Sequence, residues 1–541
     1  MRGLILAVLA LLIVAGDSGH YVPQLLSNAL HSDILAGPSD IWASPSKNAS
    51  DSEPNSSIPS SKTAIAPVTS YNEGLNNAAF ALLWHAAIQG NEDAQALLLQ
   101  VFESAFLTNF SSSDVTQADA RYWLEKLVKL ENADAAWLLY QMQGEEGTSE
   151  RFMYLAAMGG VPEAQLAYAM ATELPEAREK WLNKAAQQQY APAQAALADW
   201  YLLHGEQQLA KPLLAATATL DMQSAFKYGR LLWDEGDHHQ AKTHFAHAAE
   251  LGHKQAQRAL VVINKYTARS LENVPPYDWA KHSTSDKTCL QRIQPFATSL
   301  ATIIRADTIY QSFLEDERLE TLSLCIAPPI WLENKSLTCN ADYKGSGVLG
   351  CDVTPLASIA KTRKFSHAVV VSEQGKANVQ NGVMYLDISD AYSVFVHELA
   401  HFAGFADEYP MNRSMARQLC QEGQIDNFSP PNIIIDSDYW YAPHKTVSNW
   451  LDIDPTTIIA RSKTCELVGK RSHKPSRRIT FMEHHDSGVI PPLYLVLWQQ
   501  QLAKQNAQRP ISMNFFQAFH KNGNQKEAAH WLAQYEAYIA K

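Results

Sequence analysis

Three features are scarce in this chain of 541 residues, and each scarcity excludes a class of protein. Apart from residues 3–16, no apolar run approaches the roughly 20 residues that span a bilayer, so no stable transmembrane span is expected. Acidic residues outnumber basic ones, and the net charge of −12 argues against a nucleic-acid partner. Cysteine is absent before Cys289 and no C-x-x-C pair occurs, so a structural zinc site of four cysteines is not expected.

The cysteines that are present number six. They are Cys289, Cys325, Cys339, Cys351, Cys420 and Cys465. An even number in an exported protein suggests disulfides. Spacing alone does not fix the connectivity. Proximity in sequence favours the pairs Cys289–Cys325, Cys339–Cys351 and Cys420–Cys465. Free buried thiols are the alternative.

Residues 1–19 are predicted to be a signal peptide. Arg2 supplies a positive charge before the apolar run, and the segment 14–16 offers small residues for cleavage. A retained membrane anchor is the alternative, and we expect a periplasmic or secreted protein. Residues 20–72 are rich in Ser and Pro and poor in large apolar side chains, so they are predicted to be a disordered linker.

Residues 73–266 are predicted to form an all-α helical-repeat domain. One template, in which a helix ends, a glycine turns the chain and a new helix starts, occurs at 86–94, 156–164 and 248–256. Equivalent alanines of weaker copies are Ala135, Ala193 and Ala225. Small alanines let paired helices approach closely, and glycine permits the sharp turn. The repeats resemble SEL-one-like repeats, relatives of the tetratricopeptide repeat, which implies a binding face for a protein partner; a spacer or support is the alternative.

The strongest motif supplies three candidate metal ligands close together. Residues four apart share one face of a helix, so His397 and His401 can bind the same Zn²⁺. Gly404 tolerates a positive φ, which lets the chain end the helix and fold back toward the metal. Asp407 is then the predicted third ligand, since catalytic zinc sites usually combine three protein ligands with a water.

Glu398 is the predicted catalytic residue of this motif. It follows the first ligand, so its carboxylate is expected beside the metal, where it can take a proton from a zinc-bound water and pass it to a leaving amine. Ser389 or Asp390 is expected to cap the helix. The motif resembles that of zincins, in which the strand before the active-site helix forms the cleft edge. This resemblance implies that the preceding strand, 383–387, could pair with an extended substrate; a plain sheet strand is the alternative.

The motif resembles the metzincin pattern H-E-x-x-H-x-x-G-x-x-H, with Asp407 in place of the last histidine. The Asp-Glu-Tyr ending at 407–409 is also similar to the IgA-metallopeptidases. The resemblance implies a zincin-like α+β domain, and residues 280–541 are assigned to it. It also implies a methionine-containing turn beneath the metal, for which Met482 is the candidate, with an ordinary core methionine as the alternative.

Together these patterns predict a multidomain protein, an all-α helical-repeat solenoid followed by an α+β zincin-like catalytic domain that ends in helices. The predicted function is that of an exported zinc metallopeptidase acting on protein or peptide. One alternative is a non-catalytic, repeat-based adaptor with a vestigial or structural zinc site. Another is a zinc amidase that acts on cell-wall peptides. The basic run 470–478 is interpreted as a solvated loop, or else as a guide for an acidic substrate.

Overall fold

The structure is a computed structural model. It describes residues 77–109, 116–143, 149–282, 288–420, 430–436 and 445–540. The predicted signal peptide and linker lie outside these residues. The chain divides after Leu251 into two compact units. Among the described residues, no helix combines the length and the apolar character needed to cross a bilayer.

The first unit, as far as it is described, consists of helices and short connections. The helices are α1 (Asn77–Ile88), α2 (Glu92–Leu107), α3 (Gln117–Lys129), α4 (Ala133–Gln143), α5 (Ser149–Met158), α6 (Pro162–Ala171), α7 (Pro175–Gln187), α8 (Ala191–Leu203), α9 (Gln207–Thr217), α10 (Met222–Asp234) and α11 (His238–Glu250). Each helix packs against the next one in sequence. The helical repeats predicted for this part of the chain are therefore confirmed, while the bounds 73–266 stay a prediction.

The repeated template acts as the sequence predicted. Gly90 and Gly160 have φ values of 85° and 101°, which side-chain-bearing residues rarely adopt, and each lies in the turn between two helices. The alanine that ends each copy of the template is completely buried, as at Ala94, Ala164 and Ala256. Close helix approach is most evident at Gly159, where an added Cβ would lie 2.3 Å from the Cβ of Ala133.

The boundary between the units falls within the last copy of the template, 248–256, and the first helix of the second unit is α12 (Lys254–Lys265). This helix is fixed to α13 (Leu300–Glu315) by Asp307, a carboxylate that is only 1% exposed. Asp307 accepts hydrogen bonds from the Lys265 ammonium (2.9 Å) and the Tyr266 hydroxyl (2.6 Å). Burial alone would raise the pKa of Asp307, but these partners hold it below its ordinary value.

The rest of the second unit mixes strands and helices. The strands are β1 (Gln291–Ala297), β2 (Leu324–Ile326), β3 (Ile330–Trp331), β4 (Thr338–Asn340), β5 (Gly350–Asp352), β6 (His367–Ser372), β7 (Asn378–Gln380), β8 (Val383–Asp387), β9 (Ile434–Asp436), β10 (Ala460–Ser462) and β11 (Arg471–Lys474). The helices are α14 (Leu356–Arg363), α15 (Tyr392–Phe402), α16 (Arg413–Leu419), α17 (Lys445–Ile453), α18 (Pro492–Ala503), α19 (Ile511–Lys521) and α20 (Gln525–Ile539).

The main sheet has the strand order β2-β1-β6-β8-β7, with β3 also paired to β1. Its neighbours are parallel except for the edge strand β7, which runs antiparallel to β8. The prediction that 383–387 forms the cleft edge is therefore wrong, because β7 covers that strand. Asn381 and Gly382 have φ values of 43° and 78°, as expected for the two-residue turn of a hairpin.

The C-terminal helices α19 and α20 close the core of this unit. Phe515 and Trp531 are buried with their ring centroids 4.6 Å apart, in the same apolar cluster as Val370 and Tyr385 of the sheet. The turn between the two helices contains Gly523, with a φ of 73°.

The disulfide prediction is confirmed in its connectivity. The pairs are Cys289–Cys325, Cys339–Cys351 and Cys420–Cys465. The second of them joins directly opposed residues of the hairpin β4–β5. Such bonds form and persist in oxidising compartments.

Candidate metal centre

Helix α15 carries the main motif, and its start differs from the prediction. The helix begins at Tyr392 after Ala391, which makes no side-chain capping bond, so the predicted cap at Ser389 or Asp390 is wrong. Both residues belong to a preceding turn around Asp387. Its Oδ1 accepts the backbone N–H groups of Ser389 (2.7 Å) and Asp390 (3.1 Å), and the Asp390 carboxylate accepts the N–H of Asp387 (2.7 Å).

The end of helix α15 folds back as the sequence predicted. Gly404 has a φ of 82°, and its N–H donates to the carbonyl of His401 (3.0 Å). The N–H of Phe405 reaches the carbonyl of Ala400 (3.2 Å), which completes a Schellman motif. The chain beyond this turn runs back past the face of the helix that carries the histidines, and this brings Asp407 to them.

Three side chains of the motif converge on one point. The Oδ1 atom of Asp407 lies 3.0 Å from Nε2 of His397 and 3.2 Å from Nε2 of His401. Ligand atoms of a tetrahedral zinc ion lie about 3.3–3.6 Å apart, given metal–ligand distances of about 2.0–2.2 Å. Both Asp407 distances are within about half an ångström of this spacing, so the carboxylate is close enough to each ring nitrogen to share one ion with it.

The outer nitrogen of each histidine is also held. Nδ1 of His397 donates to the carbonyl of Phe481 and Nδ1 of His401 to that of Phe405, both at 2.8 Å. Because a carbonyl only accepts, the proton of the neutral ring is placed on Nδ1, and the lone pair of Nε2 faces Asp407. This is the tautomer that a metal ligand requires.

The charges at the centre favour a protonated His401, so a metal ion would have to displace the proton on its Nε2. Burial alone would lower the pKa of His401, but Asp407, Glu398 and the carbonyl of Phe405 outweigh it and raise the pKa to about 10. Burial alone would raise the pKa of Asp407, yet the two histidines hold it well below its ordinary value. The carboxylate is therefore ionised, as a metal ligand must be.

Glu398 stands beside the three side chains. Its carboxylate and the ring nitrogens of His397 and His401 lie within 4.8 Å of one another, so by distance alone it is also a candidate ligand. Asp407 contacts both rings more closely and is the better third ligand. Burial raises the pKa of Glu398, and the nearby histidines oppose that effect. A carboxylate with a raised pKa suits a residue that accepts and releases a proton.

Met482 lies on the turn that follows Phe481, and its side chain is completely buried. Because Phe481 binds His397, this turn supports one of the candidate ligands. Its role as a methionine-containing turn beneath a metal stays a prediction. His485 lies on the same stretch and faces Asp486, with its Nδ1 2.9 Å from the carboxylate; it also contacts the hydroxyl of Ser393.

A buried polar network behind the centre was not predicted from the sequence. Glu408 has no exposed surface and accepts hydrogen bonds from Lys474 Nζ (3.0 Å), the Tyr494 hydroxyl (2.6 Å) and Asn432 Nδ2 (3.1 Å). The hydroxyl of Thr480 is a fourth donor. Lys474 is only 3% exposed, so the interpretation of run 470–478 as a solvated loop is wrong at this residue.

The same network fixes the backbone on both sides of Asp407. The side chain of Asn432 bonds the N–H and the carbonyl of Ala406 (2.9 and 2.8 Å), and the Thr464 hydroxyl donates to the carbonyl of Asp407 (2.7 Å). The N–H of Glu408 donates to the carbonyl of Met482 (3.0 Å). The residues of this network are far from Asp407 in sequence, so no local pattern predicts them. The Asp-Glu-Tyr ending at 407–409 was the one signal that pointed to Glu408.

A cleft of about 1470 Å³ opens onto the centre. Glu398, His401 and Asp407 line it, as do Tyr409 and the edge strand β7. The arrangement therefore combines a possible three-ligand metal centre, a buried carboxylate beside it and room for an extended ligand.

No family model matches this chain, and no curated protein matches it. Among solved structures it is similar to a Sel1 repeat protein from Oxalobacter formigenes, with 19% identity over 34% of this chain and 58% of that one, at a TM-score of 0.27. It is also similar to a protective antigen of uropathogenic Escherichia coli strains that displays an SLR fold, with 24% identity over 34% of this chain and 43% of that one, at a TM-score of 0.28.

A third similar structure is that of MamA, with 18% identity over 26% of this chain and 93% of that one, at a TM-score of 0.21. The chain spans about half the length of the first two structures.

Proposed function

We propose that this protein is an exported zinc-dependent peptidase. One observation carries the proposal: Asp407 Oδ1 contacts the Nε2 atoms of His397 and His401, while backbone carbonyls hold the opposite nitrogen of each ring. This is the donor set of a catalytic zinc site with three protein ligands and an open position. Export is supported by the three disulfides, which are typical of oxidising compartments.

In this proposal the three residues would hold the metal, and Glu398 would move the proton. A zinc ion, when bound there, supplies Lewis acidity that polarises a carbonyl and makes water more acidic. Glu398 accepts a proton on its carboxylate from the attacking water and delivers it to the leaving amine nitrogen. Its burial keeps solvent from competing for that proton.

Tyr409 is a further donor at the cleft. Burial, together with the charges of Asp407 and Glu398, raises the pKa of its hydroxyl, so the group stays protonated at physiological pH. The hydroxyl is hydrogen-bonded to Asp407, so it would have to leave that carboxylate before it could donate to a substrate carbonyl in the cleft. We keep it outside the catalytic set, because its ring also stacks near that of His397, with centroids 6.2 Å apart.

An adaptor function is the second candidate, and the helical repeats of the first unit favour it. Stacked helix pairs present extended surfaces that commonly bind proteins. In an adaptor the metal would be structural, and a structural zinc ion needs four protein ligands and no open position. The cleft beside Glu398 favours the peptidase over this alternative.

The test combines zinc content with cleavage of a peptide library. We expect equimolar zinc in the wild-type protein and in Glu398→Gln, with cleavage lost in the variant, and little zinc in His397→Ala. The exposed histidine variant His520→Ala is the matched control and should keep both properties. Full activity in Glu398→Gln would rule out the proposed base, and zinc without cleavage in the wild type would favour the adaptor.

A further inference from the structure

The cleft at the candidate metal centre has a basic wall. Four basic residues line it, each from a different segment: the loop before β7, the start of α17, the residue that ends α18, and the loop before α19. They are Lys376, Lys445, Lys504 and Arg509. Among the described lining residues, the only acidic side chains are Glu398 and Asp407, which belong to the centre itself.

The charges of three of these residues are available to a ligand. Lys376, Lys504 and Arg509 are exposed, and within the part of the chain that the structure describes none of them belongs to an ion pair. An unpaired ammonium or guanidinium group in a cleft attracts anions more strongly than one on an open surface, because the low-dielectric walls focus its field.

This basic wall does not follow from the composition, since the whole chain carries a net charge of −12. An acidic ligand is repelled by most of such a protein and attracted to the cleft. The attraction acts over about 10 Å at moderate salt, which is the scale of a binding cleft. The charge pattern therefore favours the approach of an acidic ligand to the cleft.

We propose that the cleft selects peptide segments that carry Asp or Glu side chains next to the scissile bond. This inference rests on the proposed peptidase function and adds a substrate class to it. Carboxylates of such a segment would form charge-assisted hydrogen bonds with Lys376, Lys504 and Arg509. A lysine-rich segment would meet like charges at the same positions.

The test uses internally quenched peptides with uncharged dyes that differ only in the residues flanking the scissile bond, which are Glu, Gln or Lys. Each peptide is made with an amidated and with a free C-terminus. Exposed ion pairs contribute modestly, so we expect about a 10-fold Glu-over-Gln preference in kcat/KM from three of them together. The preference should fall as salt is raised from about 0.02 M to about 0.5 M, because screening shortens the reach of the charges.

The triple variant Lys376→Gln/Lys504→Gln/Arg509→Gln should lose most of that preference. The ratio of kcat/KM for Glu and Gln peptides is read within each protein, so a general loss of activity cancels. Lys526→Glu, at an exposed lysine of α20 outside the cleft, is the matched control and should keep the wild-type ratio.

Equal cleavage of the three peptides by the wild type would overturn the inference while the peptidase function stands. A preference that follows the free C-terminus and not the side chains would also overturn it. Binding of the same peptides to Glu398→Gln, measured by anisotropy, separates the two proposals. Selective binding of the Glu peptide without hydrolysis in the wild type would refute the peptidase and support the acidic selection, whereas equal binding would refute the selection.

Discussion

Replacing Lys474 by methionine tests the buried network behind the metal centre. Lys474 Nζ lies 3.0 Å from Glu408, and the two residues are 3% and 0% exposed. Methionine has a similar shape but no charge, so Lys474→Met leaves the Glu408 carboxylate buried with only neutral donors. Breaking a buried pair in this way costs about 3–5 kcal/mol of stability.

Removing the charge of the other partner, in Glu408→Gln, should lower the free energy of unfolding by less, because Lys474 has further partners and Glu408 has no other charged one among the described residues. In Glu408→Gln the ammonium of Lys474 keeps Glu483 and the carbonyl of Arg478 as partners. The expected loss is then that of a hydrogen bond to a charged group, about 1.5–3 kcal/mol. The double variant should lose less than the sum of the single losses, by about 0.5–3 kcal/mol.

The assay is urea denaturation of the zinc-loaded and zinc-free proteins, with zinc affinity measured in parallel. Glu408→Gln should bind zinc about 10-fold or more weakly, as expected for a group that positions a ligand without touching the metal. Lys463→Met, at an exposed lysine of the same region, is the matched control and should change stability by less than about 0.5 kcal/mol. A loss below about 1 kcal/mol in Lys474→Met, or additive single losses, would refute the reasoning.

Two further predictions concern the helix end and acid stability. Gly404→Ala should lower the free energy of unfolding by about 1–2 kcal/mol, because an alanine is strained at the φ of 82°. The space around an added Cβ is open, so no clash adds to this loss. Zinc titration should show weaker binding in Gly404→Ala than in the control Gly469→Ala, which carries a similar backbone strain at a φ of 69°. Burial lowers the pKa of His367 from 6.5 to about 3. Between these values the unfolded chain binds a proton that the folded protein does not. The contribution of His367 to folding stability is therefore fully present above pH 6.5 and is lost as the pH falls toward 3. In denaturation experiments with a chelator present, the free energy of unfolding should fall between pH 6.5 and pH 5 by about 2 kcal/mol less in His367→Leu than in the wild type. An equal fall in both proteins would contradict this.

Much of the fold was readable because its signals are local. The turn between two helices of a repeat depends on a positive φ at a single glycine. Gly90 and Gly160 adopt the predicted positive values. The disulfides followed the simplest pairing, between cysteines 12 to 45 residues apart. The hairpin that covers β8 had a signal as well, the Asn381-Gly382 pair, which favours a two-residue turn.

The sequence by itself determined the juxtaposition of His397 and His401, because four residues make about one helical turn whatever surrounds the helix. It also determined the turn at Gly404 that returns the chain toward them. Tertiary structure alone decided what supports the site: Phe481, 84 residues from the ring it binds, and Lys474, 66 residues from Glu408. The basic wall of the cleft arose in the same way, from four segments with no shared pattern. Packing brings such partners together by shape and burial across long intervening segments of chain. The local sequence around each residue therefore does not indicate its partner.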